Sequence, residues 1–120
     1  LTAKTYAEVA SIVSACAEAV GGPFAYYQFA EDPDGANAPS LPFVVYYYPA
    51  SDDVMADNRN YVKVRELIIE LYTENKDFDA EGALEAVLAS NDIPYRKTEA
   101  YVDSERMYQI TYDTEVLINV

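Results

Sequence analysis

The chain has 120 residues, 51% of them hydrophobic and 24% charged, the size and balance of one folded domain over residues 1–120. Its core should need neither disulfide nor structural metal. Eight Lys and Arg against 21 Asp and Glu give a net charge of −13, which repels phosphate and argues against a nucleic-acid binder. The absence of histidine excludes Ser-His-Asp and Cys-His catalysis and every imidazole metal or haem site.

Thr5-Tyr6-Ala7-Glu8 has the pattern of a capping box. Val9, Ile12, Val13, Cys16 and Val20 follow at helical spacing, so an amphipathic helix is expected to run until Gly21-Gly22-Pro23 stops it. Cys16, the single cysteine, falls on the apolar face and reads as a small core residue that can form no internal disulfide.

Phe24 to Phe29 and Leu41 to Pro49 are β-branched and aromatic runs fenced by breakers, and both read as strands. Between them, Glu31-Asp32-Pro33-Asp34-Gly35 and the residues up to Pro39 form a turn-rich stretch expected to protrude, and a second loop is expected from Ala50 to Asn58. Glu31 through Asp57 holds six acidic residues (Glu31, Asp32, Asp34, Asp52, Asp53 and Asp57) and no basic one. The Asp32–Gly35 segment opens like a calcium loop, but Pro33 and the missing bidentate Glu make it a turn. No metal is expected there or at Asp52, Asp53 and Asp57.

Tyr61 to Thr73 reads as the central strand, with Leu67, Ile69 and Leu71 on one face and Glu66, Ile68, Glu70 and Tyr72 on the other. Asp77 or Asp79 can cap a second helix that turns Ala80, Leu84, Val87 and Leu88 inward and ends at Ser90-Asn91-Asp92. Gly82 weakens it by about 1 kcal/mol relative to Ala. Tyr95 to Val102 is expected to be a strand, followed by a polar break at Asp103-Ser104-Glu105. In the last strand Tyr108, Ile110, Tyr112, Val116 and Ile118 alternate with Gln109, Thr111, Asp113 and Glu115. The expected fold is α+β: a mixed or antiparallel sheet of about five strands with two helices on one face.

Tyr46 and Tyr48 share a strand face and Tyr47 takes the other. Tyrosines on the side away from the helices would anchor a protein partner, and Tyr46, Tyr48 and Tyr72 are the candidate interface aromatics. A stacking platform for single-stranded nucleic acid is excluded by the acidic flanks. Glu66 with Glu70, or Asp113 with Glu115, could form a carboxylate pair, but no pocket is evident in the sequence and no catalytic residue is assigned. No apolar run approaches the ~18 residues of a membrane span. The opening residues show no signal-peptide pattern, so a soluble, non-exported protein is expected.

Ala56-Asp57-Asn58 with Tyr61, Ile69-Glu70-Leu71-Tyr72-Thr73, Lys76-Asp77, Glu81, Tyr101, Ser104-Glu105, Tyr108-Gln109 and Tyr112 resemble the small tail-completion, or tail-terminator, proteins of long-tailed phages and prophages of Gram-positive bacteria. The likeness is close over roughly the last half of the chain and one of pattern over the first. It departs at Ala36 to Ala38, at the triple Tyr and at Gly82. It implies a non-enzymatic α+β subunit, without cofactor, that forms a ring, expected as a hexamer, in the virion tail after synthesis in the bacterial cytoplasm. The implied partners are the chain itself, the tail-tube protein and the head connector, with DNA only passing through. Glu31, Asp32, Asp34, Asp52, Asp53 and Asp57 would then be candidates to line the bore or the assembly loops, and charge reversal at Asp52 or Asp53 should spare stability. An acidic binding module, such as a DNA mimic, and a carboxylate enzyme are the alternatives from other classes.

Overall fold

The structure is a computed structural model and describes residues 3–28, 40–56 and 59–119. Thr5 opens α1 (Tyr6–Val20) by the expected capping box. Its hydroxyl accepts from the Glu8 N–H at 3.1 Å, and the Glu8 carboxylate accepts from the Thr5 N–H at 3.3 Å. Gly21 closes the helix at φ +82°, and its N–H and that of Gly22 both return to the Ala17 carbonyl. Gly22 answers a different constraint: a Cβ there would lie 2.0 Å from the Pro42 carbonyl oxygen, so the chain can pass the backbone at Pro42-Phe43 only without a side chain.

Among the described residues the strands are, in chain order, β1 (Phe24–Tyr26), β2 (Phe43–Tyr47), β3 (Val54–Ala56), β4 (Arg59–Thr73), β5 (Tyr95–Val102) and β6 (Met107–Ile118), with α2 (Phe78–Ser90) between β4 and β5. The main sheet has the order β1-β2-β4-β6-β5, and β3 pairs with β4 off that path. It is mixed, because β1 runs parallel to β2 while every other pairing is antiparallel. This is the expected α+β architecture, with β4 at its centre. Tyr27 ends β1 early by taking φ 67°, a turn the apolar run from Phe24 did not signal.

Residues 50–58, expected as a loop, contain β3 and also pair Ser51 with Arg65, continuing the line of β2 alongside β4. Three strand residues behind Ser51-Asp52-Asp53 carry too little alternation to read. What makes β3 is the exposed edge of a central strand that runs fifteen residues.

The sheet's two faces differ. On one, Val44, Leu67, Ile69, Leu71, Ile110, Tyr112, Val116 and Ile118 join Val9, Ile12, Val13, Cys16 and Ala17 of α1 and Ala80, Leu84 and Leu88 of α2 in one core cluster. Each fully buried Leu or Ile there is worth about 1.5–3 kcal/mol. Cys16 is completely buried, and burial pushes its thiol up to about 12, so it packs as a hydrophobe. Asp77, not Asp79, caps α2, accepting from the Ala80 N–H at 3.0 Å. Gly82 meets no neighbour within 4 Å, so no packing requirement explains it.

Candidate functional site

The register places the expected interface aromatics on different sides. Tyr46 pairs with Ile69, which belongs to the core, so Tyr46 and Tyr48 face the helices and pack against the cluster. This corrects the expectation that they anchor a partner on the opposite face. The physical reason is the register: once Tyr46 is level with Ile69, alternation turns Tyr46 and Tyr48 to the helix side, where the first turn of α1 brings Tyr6 edge-on to Tyr48 at 5.3 Å between ring centroids. Tyr6, Tyr26, Tyr46 and Tyr48 line a shallow concavity of about 430 Å³. The Tyr26 hydroxyl accepts from the Tyr48 N–H at 3.3 Å. Burial, followed by Tyr46 and Tyr6, drives the Tyr48 phenol above its ordinary range.

Tyr72 does lie on the other face, as its position in the alternation requires. It stacks on Phe43 at 5.0 Å and donates its hydroxyl to Glu70 at 3.2 Å. The Gln109 amide donates to both Glu70 (2.7 Å) and the Tyr72 oxygen (3.0 Å). Burial and then the Glu70 charge raise the Tyr72 phenol. Tyr47, which alternation sets opposite Tyr46 and Tyr48, shares this face beside Tyr27 at 5.0 Å. Phe43, Val45 and Ile68 are 7%, 5% and 7% exposed under these neighbours, although neither helix lies over them. This side carries an aromatic and aliphatic strip with a polar cover of its own.

The strip gives way to acid at the far end of β4. Asp52, Glu66, Asp113 and Glu115, with Arg96 and Pro94, line an open concavity of about 700 Å³. Glu66 pairs with Glu115 in the strand register and lies diagonally from Asp113. Partial burial, then the charge of Asp113 and a hydrogen bond with it, and last Glu115, raise the Glu66 carboxyl above the usual carboxylate value. A pocket therefore does border the carboxylates for which the sequence showed none. It is wide and open, and among the described residues no group of three or more Asp, Glu or Cys side chains is arranged to hold a metal ion.

Of the six loop carboxylates, Glu31, Asp32, Asp34 and Asp57 lie outside the described residues. Asp52 is exposed and faces the acidic concavity. Asp53 behaves differently: its carboxylate accepts from the Val64 N–H at 2.9 Å and pairs with Arg65, and its side chain is only 5% exposed. It pins the segment before β3 to the central strand, so the expectation that its charge reversal would spare stability is corrected. Neither neighbour in the sequence announces this contact, because Arg65 reaches it only through the pairing of residues 50–52 with β4.

A second ionic cluster escaped the sequence reading altogether. Glu81 of α2 is 1% exposed, with Lys76 Nζ 2.6 Å from one carboxylate oxygen and Lys97 Nζ 2.8 Å from the other. Lys76 also pairs with Glu99, and Lys97 with Glu85 at 2.7 Å. Glu85 further accepts from the hydroxyls of Tyr95 (3.1 Å) and Tyr112 (2.8 Å). Burial opposes its charge, but the hydrogen bonds from Lys97, Tyr112 and Tyr95 hold its carboxyl below the usual value. The signal was present: Glu81, Leu84, Glu85 and Leu88 share the i, i+3, i+4, i+7 spacing of one helix face. Every acid in the cluster has a basic or phenolic partner, which makes it a clamp between α2 and β5.

No protein-family model matches the chain, and no curated protein matches its sequence. Among the described residues no helix is long and apolar enough to cross a membrane.

Proposed function

We propose that this chain is a structural subunit of a phage or prophage tail, a tail terminator that assembles into a ring, as a hexamer, to cap the tail tube and meet the head connector. The observation that carries the reading is the pair of half-buried tyrosines, Tyr47 and Tyr72, on the sheet face that neither helix covers, side chains that suit a protein contact. The wide, open acidic concavity beside it suits repulsion of a passing polyanion better than turnover of a substrate. In this reading the subunit has no catalytic residue, metal or cofactor, and works in the virion after synthesis in the bacterial cytoplasm. DNA passes it without binding, and Asp52 is the described loop carboxylate best exposed to face it.

The test is native mass spectrometry of the protein alone and after pelleting with isolated tail tubes. A closed multiple of the 13.4 kDa subunit, free or on tubes, is the expected result. A monomer in both conditions would remove the proposal. The gathering of Asp52, Glu66, Asp113 and Glu115 favours one second reading, an acidic module that binds a basic protein surface. A stable monomer that binds such a surface at low salt would support that reading instead.

A further inference from the structure

Four tyrosines from three elements meet on the helix side of the sheet. Tyr6 comes from the first turn of α1, Tyr26 from β1, Tyr46 from β2 and Tyr48 from the residue after it. Together they line the concavity of about 430 Å³, to which no other described residue contributes. Tyr6 and Tyr26 are 44% and 51% exposed and stand at its mouth, while Tyr46 and Tyr48 pack against the core cluster and close its inner side.

The angles between the rings select the shape of an occupant. Tyr6 and Tyr48 meet at 80°, Tyr26 and Tyr46 at 90° with centroids 5.1 Å apart, and Tyr46 and Tyr48 at 79° and 6.3 Å. A planar ligand needs two parallel rings about 7 Å apart to stack between them. Tyr26 and Tyr48, inclined at 33°, are only 6.0 Å apart and leave no such slot. Walls set near right angles suit a rounded group that touches several ring faces at once.

The lining selects its charge. It holds no aliphatic side chain and no carboxylate, so what it offers is the negative π face of each ring. Such a face attracts a cation within about 6 Å of its centre. A compact protonated amine would ask for an acceptor to replace its lost water, whereas a fully methylated ammonium has no N–H to satisfy. The net charge of −13 draws cations towards the protein. Arg65 hydrogen-bonds Tyr6 from outside the lining and is already paired with Asp53.

We infer that this concavity is a binding site for a trimethylammonium group, seated on the faces of Tyr6, Tyr26, Tyr46 and Tyr48, with the rest of its ligand in solvent. The site goes beyond the tail reading and does not depend on the chain's oligomeric state.

The test titrates three probes into the wild-type protein and follows their methyl protons by NMR: choline, Nε-trimethyl-lysine and the uncharged isostere of choline in which carbon replaces nitrogen. Contact with ring faces should move the methyl signal upfield, and at least one cation should bind about tenfold or more tightly than the isostere. The tighter cation identifies the chain that carries the group. Tyr6→Leu and Tyr26→Leu keep an apolar wall but lose a π face, and should weaken binding about threefold each and about tenfold together. Tyr26→Phe keeps the face and should bind as the wild type does. Circular dichroism melts establish that the variants are folded, and the comparison with the isostere needs none of them. Equal binding of the cations and the isostere would make this an ordinary apolar hollow and overturn the proposal. Failure of both cations to bind, or Leu variants that bind like the wild type, would overturn it as well. So would a Phe variant as weak as the Leu variants, because recognition would then lie with the hydroxyl.

Discussion

The two faces of this sheet are built from the same strands and reach burial in different ways. Ile69 and its row disappear under α1 and α2, whereas Ile68, its neighbour in sequence, is 7% exposed on the face away from both helices. Their charges differ in the same sense. On the helix side Glu81, Glu85 and Glu99 are matched by Lys76 and Lys97, while Glu66, Asp113 and Glu115 on the other side crowd one another, with Arg96 the cation in their concavity. One face is closed by the two helices, and the other carries half-buried tyrosines and an open group of carboxylates. A net charge of −13 therefore does not describe a uniform surface.

The largest expected effect compares adjacent residues. Ile69→Ala should cost about 4 kcal/mol, because a cavity opens between sheet and helices, and Ile68→Ala about 2 kcal/mol or less, because the strip can settle. Urea denaturation measures both. Equal costs would mean that the strip is as rigidly packed as the core, and the contrast between the faces would fail.

Next come Lys97 and Arg96, again neighbours on opposite faces. Lys97→Met leaves Glu81 with a single cation in a site only 1% exposed and should cost about 2 kcal/mol, whereas Arg96→Met should cost less than about 0.5 kcal/mol. Melting both variants at low and high salt sharpens the comparison, since the loss at Lys97 should persist when salt screens exposed pairs.

The smallest effect is a pH dependence of opposite sign on the two faces. Glu66 has a raised carboxyl, so the folded protein takes up its proton before the unfolded chain does. Stability from this group rises as pH falls through the raised value toward the ordinary carboxylate range. Glu85 has a lowered carboxyl, and the stability it adds is present above the ordinary range and lost as pH falls below it. Glu66→Gln should therefore stabilise the protein at pH 7 by about 0.5 kcal/mol and make little difference near pH 4. Denaturation at the two values checks this; a variant less stable at pH 7 would show that the acidic concavity is not strained.

Local chemistry in the chain was sufficient for most of the framework. The Thr5–Glu8 box, the Gly21-Gly22-Pro23 stop, the alternation of β4 and β6 and the bounds of β5 follow from caps, periods and breakers that act within a few residues. The α+β class and the burial of Cys16 follow from them in turn. Tertiary structure decided which face each aromatic took, because alternation assigns Tyr46 and Tyr47 to opposite sides without saying which side the helices cover. It also made β3 out of a polar loop, tied Asp53 to Arg65 across the pairing of residues 50–52 with β4, and brought Lys76 and Lys97 to Glu81. Each of these contacts joins residues whose meeting depends on strand order, and strand order is set by how the whole sheet buries its apolar surface rather than by any local pattern.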